Sequence, residues 1–341
     1  MIVSHRIVAL AAAAAIAGCS GAPSSPTAFA PSNDARSVSG TPAQMALRGL
    51  KGVPQTQMAD SNHSSSWMSP DAKSQPQLLY VSDQSGQAVD VYSYPKGKLV
   101  GTLSGFDAPA GICSDKVGNV YITNGNNFII DVYAHGGKTP ARTITLPGYP
   151  QLNCTVDPQS GSLALGVITD TANEVAVFAK AKGTPAVYSP SGQNGFPGCA
   201  YDAHGNLFCD AYGSSGTYGL YELPRKSTAL GVVSVSGTSG LIGGPMDWDG
   251  KNLTFASGSR GTIYRIDQSA SGDSIGSSTG LTGTGSVWQY LIDGKLILAP
   301  TEGGSLPAEV AIYKYPFAKS VVQAIKGAAY PDGVAISTLK K

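Results

Sequence analysis

The sequence is poor in charge, in histidine and in long apolar runs. Charged residues make up 13% of the 341 residues, and the formal net charge is +1. No basic field is therefore present to hold a phosphate backbone, and we expect no nucleic-acid partner. Four histidines leave few candidates for general acid–base chemistry. After the first 18 residues, no apolar run approaches the length that spans a bilayer.

Glycine, by contrast, is abundant, and strong helix formers are scarce. The chain has 43 Gly, nearly twice the average usage, together with many Ser, Thr, Val and Tyr. This composition favours strands and turns over a helical bundle or a doubly wound fold. With 42% hydrophobic residues, the chain can bury a large core.

The first 18 residues are predicted to be a signal peptide. Arg6 precedes an apolar run over 7–18, which ends in Ile16-Ala17-Gly18-Cys19. This ending resembles a bacterial lipobox, and the resemblance implies cleavage before Cys19 and acylation of its thiol. Ser20 resembles the outer-membrane sorting pattern of Gram-negative lipoproteins. We therefore expect an exported protein anchored to the bacterial membrane through Cys19. The alternative is an ordinary secretory signal with an accidental cysteine.

Residues 19–77 are predicted to be a disordered linker. They are rich in Ser, Pro, Ala and Gly and show no strand periodicity. A flexible coil of this length has a root-mean-square span of about 40 Å, which is enough to clear lipid headgroups. The predicted domains are thus a signal peptide (1–18), a linker (19–77) and a folded domain (78–341).

The folded domain repeats a short apolar strand that is centred on an aromatic residue. Successive aromatic positions lie 41, 45, 43, 43 and 49 residues apart. The six copies are Val89–Tyr92, Ile130–Tyr133, Val175–Phe178, Tyr218–Tyr221, Gly261–Tyr264 and Val310–Tyr313.

A second marker is a strand that ends in Asp, followed by a turn and another apolar strand. Asp caps local amides, and the Gly or Asn that accompanies it tolerates positive φ. The copies are Asp115, Asp157, Asp202, Asp249 and Asp293, spaced 42, 45, 47 and 44 residues apart. Each unit thus holds about four short strands in some 43 residues, which predicts a β-propeller blade. The 260 residues from 78 to 337 hold six such units.

The chain ends predict how the ring closes. The first unit begins at Leu78–Asp83, which matches the second strand of later units, so its own first strand is missing. The C-terminal Pro331–Ser337 parallels Pro109–Asp115, a first strand. We therefore expect the strand 331–337 to pair with the first blade and leave no open edge. The predicted fold class is all-β, a six-bladed β-propeller.

The units resemble NHL-repeat and gluconolactonase-like six-bladed propellers. Pro109–Gly111, Asp115–Thr123 and Ile129–Tyr133 carry the resemblance, which extends over 78–337. It implies the fold. Propellers of this type include hydrolases, lyases, isomerases and binding modules, so the resemblance selects no single activity.

Two sets of loops are expected to form the ligand face: those that lead into the innermost strands and those between second and third strands. Aromatic and amide side chains there suit a sugar or peptide ligand, which stacks and accepts directional hydrogen bonds. The alternative is that the polar members only build turns. The candidates are Phe106, Tyr149, Phe196, Trp288, Asn124, Tyr212 and Arg260.

The resemblance to gluconolactonases also implies a possible metal centre. Those enzymes hold a divalent cation with one Glu and several Asn or Asp side chains, and hard oxygen ligands favour calcium or magnesium. Val334–Ser337, where the family places its Glu, carries no carboxylate. The candidate metal ligands are Asp83, Asp170, Asp210 and Glu302.

Besides Cys19, the chain has four cysteines, and an even number in an exported protein predicts two disulfides. One pair lies on opposite arms of the hairpin that turns at 202–206, and the other lies near the innermost strands of neighbouring blades. Reduced buried thiols are the alternative. The expected pairs are Cys199–Cys209 and Cys113–Cys154.

Two histidines of the folded domain, His135 and His204, are predicted in turns on the face opposite the ligand, where we expect solvated side chains. The leading hypothesis is a lipid-anchored binding or scaffold module, monomeric, for a sugar, peptide or protein partner. The alternatives are a metal-dependent hydrolase or lactonase and a purely structural envelope protein. No catalytic residue is predicted.

Overall fold

A computed structural model describes residues 65–169, 172–213, 216–258, 261–318 and 320–340. In this part of the chain, short β-strands form six sheets, and three single-turn 3₁₀-helices lie at 72–74, 125–127 and 179–181. The sheets are numbered blades 1 to 6 in chain order. The innermost strands of blades 1 to 6 are neighbours in turn, and the second strand of blade 6 lies beside the innermost strand of blade 1, so the blades surround a common axis.

The strands of each blade are given from the axis outward. Blade 1 contains β27 (Pro331–Thr338), β2 (Gln77–Asp83), β3 (Ala88–Ser93), β4 (Lys98–Ser104) and β1 (Trp67–Met68). Blade 2 contains β5 (Pro109–Ser114), β6 (Val120–Asn124), β7 (Ile129–Tyr133) and β8 (Arg142–Thr145). Blade 3 contains β9 (Tyr149–Val156), β10 (Leu163–Ile168), β11 (Asn173–Phe178) and β12 (Ala186–Tyr188).

The remaining blades follow the same plan with two variations. Blade 4 contains β13 (Gly198–Tyr201), β14 (Leu207–Tyr212), β15 (Tyr218–Leu223) and β16 (Gly231–Val233). Blade 5 contains β18 (Met246–Trp248), β19 (Leu253–Ala256), β20 (Thr262–Asp267), β21 (Asp273–Gly280) and a parallel outer strand β17 (Val235–Ser236). Blade 6 has a divided inner position, β22 (Thr284–Ser286) and β23 (Leu291–Asp293), followed by β24 (Leu296–Gly304), β25 (Glu309–Lys314) and β26 (Val321–Ile325).

The hydrophobic core is divided into six clusters of buried side chains, and two adjacent blades form each cluster. The repeated aromatic strands are the third strands of the blades, and their alternate residues enter these clusters. One cluster joins the last blade to the first: Leu298 and Val310 pack with Val81 and Val334. Six blades with six interfaces form a closed ring, so the predicted six-bladed β-propeller is confirmed.

Ring closure occurs as the sequence predicted. β27 pairs antiparallel with β2, from Gln77 opposite Thr338 to Asp83 opposite Pro331. The C-terminal strand is therefore the innermost strand of blade 1. The edge of β2 that would otherwise be open is paired with β27, and the facing edge of β27 is paired in the same way. An open edge of this length would be a template for association with other chains.

The structure adds an N-terminal segment to this blade. Residues 65–77 were assigned to the linker, but Trp67 and Met68 pair with Thr102 and Gly101 of β4. Ala72 is fully buried between blades 1 and 2. The assignment of these residues to the linker is thus corrected: a two-residue strand on an outer edge leaves no periodicity for the sequence to reveal.

His135 joins the two ends of the folded domain. Its Nε2 lies 2.8 Å from the carbonyl oxygen of Gln75, and its Nδ1 lies 2.7 Å from the Ser337 hydroxyl. The ring is half-buried, and burial lowers the pKa of the imidazole. The expectation of a solvated His135 is therefore wrong, because the turn that carries it packs against both chain ends. His204 is exposed as expected.

The repeated Asp residues cap the turns between first and second strands. The Asp115 Oδ1 accepts hydrogen bonds from the Val117 and Asn119 amides at 3.0 and 2.8 Å. Asp202 Oδ1 accepts from His204 and Asn206 amides at 2.8 and 2.9 Å in the same way. The near-constant spacing of these Asp residues thus follows from a capping role that recurs in successive blades.

The structure contains both cysteine pairs that the sequence suggested. Cys113 and Cys154 join the innermost strands of blades 2 and 3, with 5.5 Å between their Cα atoms. Cys199 and Cys209 lie opposite each other on β13 and β14. One disulfide therefore links neighbouring blades, and the other links two strands within a blade.

Deletion of residues 331–341 tests the closure. It removes the innermost strand of blade 1 and opens the cluster between blades 6 and 1, so we expect the free energy of unfolding to fall by at least about 4 kcal/mol. Chemical denaturation of the shortened chain measures this. Deletion of residues 340–341 alone is the control and should leave stability within about 0.5 kcal/mol. Equal stability of the two shortened chains would contradict the closure.

Candidate functional site: the channel and its upper mouth

The inner edge of each blade faces the central channel, where strand backbone has no further strand to pair with. Gln289, in the divided inner position of blade 6, satisfies one such edge. Its Oε1 accepts a hydrogen bond from the Ile112 amide at 3.0 Å, and its Nε2 donates to the Ile112 carbonyl at 2.6 Å. Nε2 also lies 3.4 Å from the Val334 carbonyl. This one side chain therefore links the inner strands of blades 6, 1 and 2.

Asn153 performs the same task on the other half of the ring. From β9 of blade 3, its Oδ1 accepts from the Cys199 amide at 3.0 Å, and its Nδ2 lies 3.3 Å from the Cys199 carbonyl. Nδ2 also donates to the Met246 carbonyl at 2.9 Å. Blades 3, 4 and 5 are thus linked by one amide. A primary amide carries a donor and an acceptor in one plane, so it substitutes for the missing peptide partner.

We call the end where the innermost strands begin the upper face, because the predicted ligand loops lie there. Asp83 and Asn124 end second strands at this face, and both hold the loop that leads into the innermost strand of their own blade. Asp83 accepts from the amides of Ala329 and Tyr330 at 2.6 and 3.0 Å. Asn124 Oδ1 accepts from the Asp107 amide at 2.8 Å.

Asp210, at the corresponding place in blade 4, is fully buried and joins two blades. Its carboxylate accepts from the Gly198 amide at 3.2 Å and from the Gly244 amide of the loop into blade 5 at 2.8 Å. Burial raises the pKa of this carboxyl well above its usual range. Asp83, Asn124 and Asp210 are therefore occupied with loop backbone, as the turn-building alternative proposed.

Two of the five predicted ligand-face aromatics belong to the core. Phe106 is 5% exposed and packs between blades 1 and 2, with its ring centroid 6.2 Å from that of Tyr133. Phe196 is fully buried between blades 3 and 4, edge-on to Tyr221. The prediction that Phe106 and Phe196 face a ligand is therefore wrong, because the loops carry them down between the blades.

Tyr149, Tyr212 and Trp288 are partly exposed at the upper face. An aromatic residue that the sequence analysis missed lies with them. Phe128 is 46% exposed, and its ring lies edge-on to Tyr149 at 6.3 Å. The available signal was its place directly after Asn126 and Asn127, in a loop between a second and a third strand.

Trp288 belongs to a polar group at the upper face, which we call the upper mouth. Its members are Trp288 and Glu302 of blade 6, Tyr330 and Asp332 at the start of the innermost strand of blade 1, and Tyr149 of blade 3. The Trp288 Nε1–H donates to Glu302 Oε2 at 2.8 Å, and the Tyr330 hydroxyl also bonds to the Glu302 carboxylate. Asp332, the second residue of β27, is 8% exposed. Burial, and secondarily the charge of Glu302, raises the pKa of Asp332 to about 7.

The candidate metal ligands are not brought together in the described residues. Asp83 and Asp210 bind backbone amides, and Glu302 binds Trp288 and Tyr330. No group of three or more His, Cys, Asp or Glu in the described ranges is placed to hold one ion. Asp170, Arg260 and Cys19, predicted respectively as a metal ligand, a ligand-face residue and the lipidation site, lie outside the described residues.

The lower end of the channel holds a cavity that the sequence analysis did not predict. Its volume is about 290 Å³, and it is lined by the later parts of the innermost strands, including Asp247 and Asp293. The Asp247 carboxylate accepts from the Trp248 and Ile292 amides at 2.8 and 2.6 Å. Burial is the main cause that raises the pKa of Asp247 to about 7. This carboxylate ties blade 5 to blade 6.

The fold is shared with solved structures of low sequence similarity. A chain of the nidogen/laminin complex is 12% identical and superposes with a TM-score of 0.59 over 78% of this chain and 100% of that chain. A protein of unknown function from Bacteroides caccae is 13% identical, with a TM-score of 0.55 over 77% and 99%. The hydrazine synthase of Kuenenia stuttgartiensis is 17% identical, with a TM-score of 0.51 over 72% and 75%.

At these identities the likeness concerns the fold alone: the protein belongs to the architectural class of six-bladed β-propellers. No protein-family model matches the chain, and no curated protein matches its sequence. Within the ranges that the structure describes, no helix has the length and apolarity to cross a bilayer.

The Gln289→Leu variant tests the amide links across the channel. Leucine keeps most of the side-chain volume but leaves the Ile112 amide and carbonyl without their partner. We expect the free energy of unfolding, measured in urea, to fall by about 2–4 kcal/mol. The matched control is Gln323→Leu, which removes an exposed bond to the Pro95 carbonyl and should cost less than about 0.5 kcal/mol. Equal losses would show that the inner edges do not need Gln289.

The Asp332→Asn variant has a pH-dependent effect on stability. The pKa of Asp332 is about 7 in the folded protein and about 3.9 in an unfolded chain, so the folded state binds more protons between these values. The wild-type protein therefore loses stability as the pH rises through this window, by up to about 1.4 kcal/mol per unit. We expect Asp332→Asn to be the more stable protein at pH 8 and to match wild type at pH 4. A constant difference at both pH values would contradict this.

Proposed function

We propose that this protein is an exported, lipid-anchored β-propeller that serves as a binding module at the bacterial cell envelope. The observation that carries the proposal is the upper mouth. There, Trp288 and Tyr149 stay partly exposed beside two carboxylates, on a frame that the closed ring holds rigid. Aromatic faces together with a few fixed polar groups are the usual composition of a ligand site.

Export is supported by the cysteine pairs. Two disulfides that join strands of the folded domain are typical of an oxidising compartment. The sequence Ile16-Ala17-Gly18-Cys19 supports acylation of Cys19. Several acyl chains at about 0.8 kcal/mol for each buried methylene would hold the protein on a membrane without a spanning helix. In a Gram-negative host, Ser20 favours the outer membrane.

A role as a module for a partner is compatible with the architecture. The similar chain in the nidogen/laminin complex occurs in a complex of two proteins. For the present protein, the partner is proposed to be a sugar, a peptide or a protein bound at the upper face. The alternative in the sequence analysis, a metal-dependent lactonase, requires carboxylates that are free to ligate a metal ion.

The Cys19→Ser variant tests the anchor. We expect the variant to move from the membrane fraction to the soluble periplasmic or secreted fraction and to lose incorporation of a labelled fatty acid. The matched control is Cys113→Ser with Cys154→Ser, which removes two cysteines but keeps the lipobox and should remain with the membrane. Continued membrane association of Cys19→Ser would contradict the anchor.

Thermal unfolding of the mature chain separates a binding module from the lactonase. Calcium, magnesium or EDTA should leave the melting temperature unchanged if the module needs no metal. A tightly bound ion would raise the melting temperature, by an amount that grows with the logarithm of the ion concentration relative to its dissociation constant. A rise with calcium that EDTA reverses would favour the lactonase over the binding module.

A further inference from the structure

The strongest unexplained feature of the molecule is a buried carboxylate without a counter-charge. Asp332 is more than nine-tenths buried, and no described residue hydrogen-bonds to it. The charged group that acts on it is another carboxylate, Glu302. The ion pair found in the described residues joins Arg265 to Asp267 on blade 5. An uncompensated buried charge costs several kcal/mol, so a residue of this kind indicates a missing partner.

Asp332 lies at the mouth of the channel, because it is the second residue of β27, at the end where the innermost strands begin. Tyr330 directly precedes that strand, and Tyr149 is the first residue of the innermost strand of blade 3. Burial is the main cause that raises the pKa of both phenols, and the charge of Asp332 adds to it. Asp332 thus lies at the same end of the channel as these two rings.

A second buried group near the same end lacks a partner. Gln151 lies between Tyr149 and Asn153 on β9 and is 8% exposed, and its Nε2 has no hydrogen-bond acceptor in the described residues. Buried side-chain amides in proteins are nearly always hydrogen-bonded. An unused acceptor at Asp332 and an unused donor at Gln151 together indicate a ligand that supplies both complements.

From these observations we infer that the upper mouth binds an organic cation, an ammonium or guanidinium group, between the Asp332 and Glu302 carboxylates and the rings of Trp288 and Tyr149. The inference deepens the proposed binding function and rests on it. A guanidinium or ammonium group supplies the hydrogen-bond donors and the charge that Asp332 lacks, and aromatic faces attract such cations by about 0.5–2 kcal/mol.

The number of oxygen atoms available at the upper mouth favours an organic cation over a metal ion. Calcium takes six to eight oxygen ligands, whereas the upper mouth offers two carboxylates, and Glu302 is already bonded to Trp288 and Tyr330. The Gln151 amide further favours a basic side chain presented on a peptide, because a peptide carbonyl can accept its hydrogen bond. A small free diamine or agmatine has the cation but not the carbonyl.

The test compares N-acetyl-L-arginine amide with its neutral isostere N-acetyl-L-citrulline amide, by calorimetry on the mature full-length chain. We expect the arginine probe to bind saturably at one site and at least tenfold more tightly than citrulline. This preference should be greater at pH 8 than at pH 6, because Asp332, whose pKa is about 7, gains its charge in this range. Agmatine should bind more weakly than the arginine probe if the cation is peptide-borne.

Variants locate the site. Asp332→Asn should abolish the preference for arginine over citrulline, and Glu302→Gln should reduce it. Glu222→Gln removes the same charge from the third strand of blade 4, where that strand ends at the lower face, and should leave the preference intact. Near-ultraviolet circular dichroism of each variant verifies the fold.

Four outcomes would overturn the inference: no binding of the arginine probe, equal binding of both probes, a preference that survives Asp332→Asn, or displacement of the arginine probe by calcium. Equal binding of the two probes would leave the binding module in place and reject only the cation. Continued membrane association of Cys19→Ser, with arginine binding intact, would reject the anchor alone. Displacement of the arginine probe by millimolar calcium would assign the mouth to a metal ion and overturn the inference.

Discussion

The inner edge of each radial sheet is the constraint on which this molecule depends. Strand backbone at the axis has donors and acceptors but no neighbouring strand, and unsatisfied buried backbone groups are costly. Gln289 and Asn153 satisfy some of these groups with their side-chain amides. Gln289 bonds to the backbone amide and carbonyl of Ile112, and Asn153 bonds to those of Cys199. Each amide also reaches a third blade, so the two side chains together involve all six inner strands. The blades are therefore fixed at the axis by polar contacts and between their faces by apolar ones.

The same demand explains which polar residues at the upper face are free for a ligand. Asp83, Asn124 and Asp210 are all used by backbone amides of the loops that enter inner strands, and a carboxylate so engaged has little capacity left for a ligand. Asp332 differs because it comes after such a loop, inside the strand, where no backbone amide needs it. Function is thus to be sought among the polar residues that the turns do not require.

The repeat made the architecture predictable. Capping Asp residues and aromatic third strands recur because the blades have the same turns and the same two packed faces. The strand 331–337 could be recognised because it resembles the first strand of a blade but is not followed by the other strands of that blade. The positions of individual side chains were less predictable. Phe106 and Phe196 belong to the proper loops, but whether a loop aromatic faces solvent or enters the gap between blades depends on the space there. Gln289 and Asn153 carried no signal, because their partners are backbone groups in other blades. Trp67–Met68 is too short for periodicity.

The pairing of Gln77 with Thr338 spans 261 residues, and this has a consequence for biosynthesis. During synthesis, β2, β3 and β4 of blade 1 precede all the strands of blades 2 to 6, whereas β27, which covers the inner edge of β2, follows all of them. Until then, β2 exposes an unpaired apolar strand, and contacts of such long sequence separation form slowly. The ring can therefore close only after residues 331–338 have been synthesised, and the unclosed intermediate must be kept from aggregating until that strand has paired with β2.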